Sequence, residues 1–415
     1  MQNRSSLLGQ RLLRRIFEGI GEPPIRLVLE DQSFSPLNVS PVATVIIPDL
    51  RTLAGLMLDP EVAFGEAYTE GRIRIEGDLV RFLEATYRSM AAAPARRSWY
   101  ARLASRWMDW RQDNTPGGSR HNIHRHYDLG NDFYKLWLDQ ELVYTCAYFP
   151  SPSATLEEAQ RAKMDYVCRK LRLQPGETVV EAGCGWGALA LHMARNYGVS
   201  VKAFNVSREQ ILFARERAQA ERLDHQVEFI EDDYRSISGK FDAFVSVGML
   251  EHVGLDHYAE LGRIIHRSVG DTGRGLLHSL GRSHPAPLSR WIRRRIFPGA
   301  YIPTLREAAE VLEPWDYAIQ DVENLRLHYA KTMEHWLERF ENSRRQVEAM
   351  YDSGFVRAWR LYLAGSLAAF RTGTLQLFQI VFTGSRCQPI WWTRAPLYSD
   401  AKAEIGKATW THAMS

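Results

Sequence analysis

From about residue 155 onward, the sequence alternates between helical and strand-like patterns. The helical stretch TLEEAQRAKMDYVCRKLRL precedes the strand-like ETVVEAG, and four further strand-like segments follow, most of them separated by helical stretches. Such alternation is typical of an open, mostly parallel sheet that helices cover on both faces. We therefore predict a Rossmann-like α/β fold, in which TLQLFQIVF near the end of the chain closes the sheet as an edge strand.

The first 115 residues have a different pattern, which predicts a separate and smaller domain. Short β-like runs such as IRLVLED and ATVIIP mix with helical stretches such as DLVRFLEATYRSM, as is typical of an α+β domain. A chain of 415 residues is also long enough to favour two domains. We place these domains at residues 1–115 and 120–415, on either side of the breaker DNTPGGS.

Composition and local motifs argue against several classes of protein. The formal net charge is only +3, which gives no reason to expect nucleic-acid binding. The four cysteines lack CxxC spacing, which predicts free thiols in a reducing compartment. The cluster HNIHRHYD lacks the i, i+4 pair of a helical zinc site, so we predict no metal. No secretory signal and no run of roughly 20 apolar residues is evident, which predicts a cytoplasmic protein.

Three basic segments carry large apolar side chains and are candidates for contact with a membrane. Residues 5–20 form a basic amphipathic pattern, residues 96–111 interleave arginine with tryptophan and tyrosine, and residues 289–301 read SRWIRRRIFPGAY. Guanidinium groups and indole rings suit the head-group region of an anionic bilayer. For the first two segments, ordinary packing within the protein is the alternative interpretation.

The stretch VVEAGCGWGALA indicates a nucleotide-binding turn between a strand and a helix. Its glycines, Gly183, Gly185 and Gly187, have the spacing G-x-G-x-G, whereas a dinucleotide site requires G-x-G-x-x-G and an acid after the second strand. The second strand ends instead in Asn205, and no GK[ST] of a P-loop follows the turn. The remaining common ligand is S-adenosylmethionine, a nucleoside without phosphates.

Further polar residues follow neighbouring strands of the predicted sheet. Asn205 with Gln210 could bind the ribose of the nucleoside, and the loop at Asp233 and Tyr234 could bind its adenine. In open α/β sheets, ligands bind beyond the carboxyl ends of the strands. Two additional candidates belong to this edge because of their place in GMLEHVG and LLHSLG, namely Glu251 and His278. Alone, each would more often be solvated or structural, but together they predict a reactive site beside the nucleoside.

Five long motifs occur in a characteristic order: HYDLGNDFYKLWLD, YTCAYF, AGCGWGALALHMARNYGVSV, VSVGMLEHVG and LLHSLG. In this order they closely resemble the cyclopropane-fatty-acyl-phospholipid synthase family, which includes the mycolic acid cyclopropane synthases. The similarity is nearly continuous from residue 121 to about 385 and weaker in the front domain. It implies a class I S-adenosylmethionine-dependent methyltransferase fold. It also implies methylene addition to the cis double bond of unsaturated phospholipid acyl chains, with bound bicarbonate as the base.

The resemblance also assigns individual residues to the active site. The residues implied to bind S-adenosylmethionine are Tyr144, Thr145, Glu181, Gly183, Gly185, Gly187, Asn205, Gln210, Asp233 and Tyr234. The residues implied to be catalytic and to hold bicarbonate are Cys146, Glu251, His278 and Tyr329, with Leu280 contributing its backbone. Since the implied substrate is a bilayer lipid, we predict that the front domain meets lipid. We also predict that residues 96–111 and 289–301 contact the anionic inner membrane surface. Relatives suggest a homodimer.

Three departures from the family pattern leave the exact product open. Glu181 stands where the family usually has Asp, Asn205 where it usually has Thr, and Ser366 where many members have Cys. Methyl transfer to an alkene leaves a carbocation, and ring closure requires a base to remove a proton from the new methyl group. A different resolution of the cation would give a methyl-branched or methylene fatty acid. A small-molecule methyltransferase and a non-enzymatic lipid-binding protein are further alternatives.

Overall fold

A computed structural model describes residues 2–29, 32–35, 40–92, 129–387 and 392–398. The predicted membrane segment at 96–111 and the histidines between 121 and 126 lie outside the described residues. Four of the five resemblance motifs lie entirely within the described part. The other one, HYDLGNDFYKLWLD, is described from residue 129 onward.

Up to residue 92, the described residues of the front part form four strands and four helices. In chain order, these elements are α1 (Gln2–Gly19), β1 (Arg26–Leu29), β2 (Gln32–Phe34), β3 (Ala43–Ile47), α2 (Leu50–Leu58), α3 (Pro60–Thr69), β4 (Arg74–Gly77) and α4 (Leu79–Ala92). The strands form one sheet in the order β2-β1-β3-β4, in which β1 and β3 are parallel and the other two pairs are antiparallel. Asp49 and Asp59 cap the amino ends of α2 and α3 with their side chains.

The apolar face of α1 packs on this front sheet. Leu13 and Phe17 are buried, and the Phe17 ring lies 5.1 Å from that of Phe34 on β2. Leu12 and Ile16 are partly buried against the same core. Between the two interpretations of residues 5–20, the described side chains therefore match packing within the protein.

The remainder of the described chain contains seven strands and twelve α-helices. They are α5 (Asn131–Lys135), α6 (Leu156–Leu171), β5 (Thr178–Ala182), α7 (Ala188–Tyr197), β6 (Ser200–Asn205), α8 (Arg208–Ala220), β7 (Val227–Glu231), β8 (Ala243–Val247), α9 (Leu250–Val253), α10 (Tyr258–Val269), β9 (Arg274–Gly281), α11 (Arg290–Arg295), α12 (Leu305–Ala309), β10 (Ala318–Asn324), α13 (Arg326–Asn342), α14 (Arg344–Met350), α15 (Ser353–Thr372), β11 (Gln376–Thr383) and α16 (Ala395–Tyr398).

The seven strands form one sheet in the order β10-β11-β9-β8-β5-β6-β7. The five strands from β9 to β7 are parallel, whereas β11 runs antiparallel to both of its neighbours. The predicted Rossmann-like α/β fold is confirmed. The predicted edge position of TLQLFQIVF is wrong, because β11 lies inside the sheet and β10 covers its outer side. The sequence of β10, AIQDVEN, is polar and half-exposed, which suits an edge strand but gives no apolar run that would reveal it.

Helix α15 joins the two parts of the chain. It packs against α13 on one side and against α3 and α4 on the other. Buried residues of the front sheet and of α5, α13 and α15 form one continuous hydrophobic core. Within the described residues, no helix is both long enough and apolar enough to cross a bilayer.

The basic segment around α11 contributes to the same junction. Arg290 forms an ion pair with Asp59 at 2.6 Å, and Arg295 is paired with Glu66 on α3. Trp291 is buried so closely against Gly65 that a Cβ there would lie 2.3 Å from its ring. At least two of the four arginines predicted to meet a membrane are therefore engaged within the chain.

Candidate active site

A glycine turn follows β5 and leads into α7. All three of its glycines have positive φ, at 86° for Gly183, 53° for Gly185 and 83° for Gly187. L-residues rarely adopt this conformation. A Cβ on Gly187 would also lie 2.6 Å from the ring of Phe229, whereas one on Gly185 would meet no atom within 4 Å. The backbone at Gly185 therefore borders open space at the carboxyl edge of the sheet.

Three polar residues surround the turn. Asn205 donates to the Gln210 side-chain oxygen at 2.6 Å and to the Gly185 carbonyl at 3.3 Å. Buried Gln210 Nε2 and Glu181 Oε2 have no hydrogen-bond partner within the described part of the chain. Burial raises the pKa of Glu181 to about 8, although Lys163 opposes that shift. Because buried polar atoms rarely remain unpartnered, these two atoms indicate a polar ligand.

The predicted adenine loop follows β7 but differs in detail from the expectation. The Asp233 carboxylate accepts a hydrogen bond from the Arg235 backbone at 3.0 Å and pairs with its guanidinium at 3.1 Å. Asp233 is therefore engaged within its own turn. The buried Tyr234 hydroxyl has no hydrogen-bond partner among the residues that the structure describes, and its ring lies 4.8 Å from the Arg235 guanidinium.

Helix α6 holds the segment that contains Tyr144, Thr145 and Cys146. Gln160 donates to the Thr145 carbonyl at 2.9 Å, and Lys163 donates to the Thr145 hydroxyl at 3.0 Å. Both donors are almost completely buried, and burial lowers the pKa of Lys163 to about 8. Sequence reasoning missed these two residues, although polar residues one turn apart among apolar helix positions were the available signal.

Glu251 and His278 lie at neighbouring strands, as predicted. Glu251 Oε1 accepts a hydrogen bond from the Leu280 backbone at 2.5 Å, and Leu280 follows His278 by two positions on β9. Among the described residues, the buried atoms Glu251 Oε2 and His278 Nε2 have no hydrogen-bond partner. Burial raises the pKa of Glu251 to about 7 and holds the pKa of His278 well below its usual value.

Cys146, Leu280 and Tyr329 meet in a small apolar cluster. Leu280 and Tyr329 pack against buried Cys146 together with Leu325 and Leu377. The Cys146 thiol contacts the Ala147 carbonyl at 3.1 Å, and burial raises its pKa, so the thiol stays protonated. Since Leu280 also bonds Glu251, contacts link four of the five residues that the resemblance implied for bicarbonate, and the fifth, His278, lies two positions from Leu280 on β9.

An aromatic wall stands beside this cluster. We define it by rings whose centroids are 4.4 to 5.9 Å apart, namely those of Tyr144, Trp137, Trp336, Tyr329 and Phe370. The Tyr144 hydroxyl is hydrogen-bonded to that of Tyr362 on α15 at 2.8 Å. Ser366, one of the departures, is half-buried on the same helix. Of these rings, sequence reasoning had singled out only Tyr144 and Tyr329. Trp137 and Trp336 each lie seven positions from one of them, but nothing local shows that the two segments pack on each other.

Comparison with known proteins identifies the family. The family profile described as mycolic acid cyclopropane synthetase matches residues 116–380. The chain belongs to this family.

Individual relatives agree with that assignment. A probable fatty acid methyltransferase from Pseudomonas putida is 36% identical over 395 residues, covering 90% of this chain and 96% of the relative. The cyclopropane-fatty-acyl-phospholipid synthase of Escherichia coli K12 is 39% identical over 259 residues, covering 62% of this chain and 66% of the relative. The crystal structure of mycolic acid cyclopropane synthase CmaA1 complexed with SAH and CTAB has a TM-score of 0.61 and 30% identity, covering 63% of this chain and 97% of that structure. This member of the family is an S-adenosylmethionine-dependent methyltransferase.

The residues of this methyltransferase fit S-adenosylmethionine at the carboxyl edge of the sheet. Open space at Gly185 gives a ligand access to the backbone, and the orphaned atoms of Glu181 and Gln210 lie on the adjoining strand and helix. Asn205 is held between the turn and Gln210, which positions its amide at the end of β6.

Metal ligation finds no support in the described part of the chain. Among those residues, no group of three or more His, Cys, Asp or Glu side chains could hold a metal ion. The four cysteines are buried and free.

Proposed function

We propose that this methyltransferase converts the cis double bonds of unsaturated phospholipid acyl chains to cyclopropane rings. The observation that carries the proposal is the pair of buried, unpartnered atoms Glu251 Oε2 and His278 Nε2. They belong to residues that are joined through Leu280 beside the edge where the cofactor fits. A small polar ligand between them would satisfy both atoms.

We further propose that bicarbonate is this ligand. When bound, S-adenosylmethionine supplies an electrophilic methyl group, and bicarbonate would supply the base that closes the ring. Ionised Glu251 can accept a hydrogen bond from a hydroxyl, which allows a carboxylate to lie next to an anion. His278, Tyr329 and the Cys146 thiol would surround the remaining oxygens, and the Leu280 N–H, which donates to Glu251 Oε1, would hold that carboxylate beside them.

The aromatic wall supports the same chemistry. An alkene is a weak neutral nucleophile, so it must be aligned closely with the sulfonium methyl group. The buried faces of Trp336 and Trp137 exclude water from the site, and aromatic faces attract a carbocation on the acyl chain. An alkene has no proton to lose before it attacks, so no base is needed before the methyl group moves.

Expression in bacteria that lack such an enzyme tests the proposal. We expect proton NMR of the extracted fatty acids to show upfield cyclopropane signals, and the inactive variant Glu251→Gln provides the matched background. Unchanged lipids in cells with folded wild-type protein would contradict the proposal.

A second candidate product is a methyl-branched or methylene fatty acid. It is favoured by the Pseudomonas putida relative, a probable fatty acid methyltransferase that aligns with 90% of this chain. The same NMR experiment separates the two, because branched-methyl or olefinic signals would replace the cyclopropane signals.

We also propose a cytoplasmic location, with peripheral contact at the anionic inner membrane surface. Arg294 is exposed on α11, whereas Arg295 is paired with Glu66. Neutralising Arg293, Arg294 and Arg295 together would therefore also weaken the junction with α3. We expect the variant Arg294→Gln to sediment less with anionic vesicles, while Arg295→Gln reports the cost of the ion pair with Glu66. Equal sedimentation of Arg294→Gln and wild type would exclude the contact. A homodimer remains a proposal that analytical ultracentrifugation tests.

A further inference from the structure

A chain of polar side chains runs behind His278, away from its unpartnered Nε2 atom. Glu323 on β10 pairs with Lys170 on α6 at 2.5 Å, and Lys170 Nζ donates to Gln379 Oε1 on β11 at 2.7 Å. Gln379 Nε2 in turn lies 3.0 Å from His278 Nδ1. The side chain of Lys170 is 1% exposed, and Gln379 is fully buried.

The chemistry of these groups fixes which atom donates in each hydrogen bond of this series. An ammonium group can only donate hydrogen bonds, so the Gln379 atom that faces Lys170 must be the oxygen. The NH₂ group of the same amide therefore faces His278 and donates to Nδ1. An Nδ1 atom that accepts a hydrogen bond carries no proton. Burial keeps the imidazole neutral by holding its pKa well below the usual value, so its single proton resides on Nε2.

We propose that Lys170 and Gln379 are positioning residues that hold His278 in the Nε2-protonated tautomer. His278 then donates a hydrogen bond to the polar ligand of the active site and cannot act as the base itself. This inference rests on the proposed function for its catalytic meaning, since it leaves the bound anion as the proton acceptor. It adds Lys170, Gln379 and Glu323 to the residues on which the reaction depends.

A purely structural role is the alternative, because the same bonds join α6 to β10 and β11. Burying an ammonium group is costly unless its partners are well placed. Lys170 has two such partners and also lies 4.5 Å from the centre of the Tyr166 ring. The experiment must therefore measure the tautomer of His278 and not stability alone.

The direct test is NMR of the full-length protein with nitrogen-15-labelled histidine, at a pH where His278 is neutral and without substrate. The variant His278→Asn identifies the signals of this ring. We expect wild type to show a protonated Nε2 and an unprotonated Nδ1. A protonated Nδ1 in wild type would overturn the inference.

The variant Gln379→Glu reverses the direction of the hydrogen bond between residue 379 and His278, and it changes the shape of the side chain very little. A carboxylate only accepts, so it should draw the proton to Nδ1, as the aspartate of a Ser-His-Asp triad does. We expect the His278 signals to exchange roles and turnover to fall roughly 100-fold, the usual cost of one preorganised donor. Exchanged signals with unchanged turnover would refute a role in catalysis.

Gln376→Glu is the matched control on the same strand. Gln376 accepts from Asn324 at 2.8 Å and has no histidine partner among its described contacts, so neither the tautomer nor turnover should change. Lys170→Met provides a second route if Gln379→Glu does not fold, because Gln379 is then free to turn and both tautomers should be populated. The product assay tests the proposed function and the NMR tests the tautomer, so either proposal can be refuted without the other. Absence of a lipid product from wild type would refute the proposed function, whereas the tautomer is read without substrate.

Discussion

The two sides of the active site are built in different ways. We compare the glycine-turn region, residues 181–210, with the His278 region, which comprises Glu251, His278, Leu280 and the side chains behind them. In the first, Asn205 and Gln210 bond across five positions. In the second, Glu251 bonds Leu280 across 29 positions and His278 bonds Gln379 across 101. A local motif therefore shapes the cofactor side, whereas tertiary packing assembles the reactive side.

The largest expected effect comes from Glu251→Gln in the His278 region. An amide is a weaker acceptor than a carboxylate for the hydroxyl of the proposed bicarbonate, so turnover should fall roughly 10³-fold. Binding of S-adenosylhomocysteine, measured by calorimetry, should remain unchanged because the glycine-turn region is intact. A collapse of that affinity would mean that the two regions are not separable.

Gly187→Ala tests the glycine-turn region. Its φ of 83° and its contact with Phe229 should lower the free energy of unfolding by about 3 kcal/mol, as measured by urea denaturation. Gly185→Ala is the control, because its Cβ meets no protein atom within 4 Å. There we expect a smaller loss of stability and a larger loss of cofactor affinity. If Gly187→Ala lost more cofactor affinity than Gly185→Ala, the cofactor would not lie against the backbone at Gly185.

Glu181→Gln should change how stability depends on pH. The folded protein holds the pKa of Glu181 near about 8, above its ordinary value of 4.5, because of burial. A raised carboxyl pKa stabilises the fold fully below the unfolded pKa, and this contribution is lost as pH rises through the folded pKa. Wild type should thus lose about 3 kcal/mol more than the variant between pH 5 and pH 8. The measurement is the free energy of unfolding of both proteins by urea denaturation at each pH. The same pH dependence in wild type and variant would show that Glu181 does not titrate as inferred.

The smallest effect is expected for Tyr329→Phe. The ring should keep its stacking on Phe370, at 4.4 Å between centroids, so stability should be unchanged. Loss of the hydroxyl should reduce turnover by about tenfold, the worth of one hydrogen bond. Thermal unfolding and product formation measure the two quantities. An equal turnover in the variant would remove Tyr329 from the residues that surround the proposed anion.

Prediction from the sequence succeeded where a pattern was contiguous. The five parallel strands and their helices were predicted because apolar runs and helical stretches alternate in the chain. Strand β10 was not recognised, because AIQDVEN is polar and half-exposed, and its absence made β11 look like an edge. Glu251 and His278 were found through their motifs, whereas Lys170 and Gln379 gave no motif at all.

The arginines of residues 289–301 teach a related lesson. Their clustering beside Trp291 predicted a membrane-contact segment, yet Trp291 is buried on Gly65 and Arg290 pairs with Asp59. A basic aromatic stretch has the same sequence pattern whether its partner is a head group or an acidic helix of the same chain. Only the position of α3 distinguishes the two for these side chains.

By itself, the sequence determined the α/β class, the glycine turn and the family, because each depends on residues that are close together or on motifs in a set order. Tertiary structure decided which atoms face the active site and in which protonation state. The proton on His278 depends on Gln379 and Lys170, which lie 101 and 108 positions away. Hydrogen-bond direction acts over about 3 Å of space, and only the folded sheet brings these residues that close.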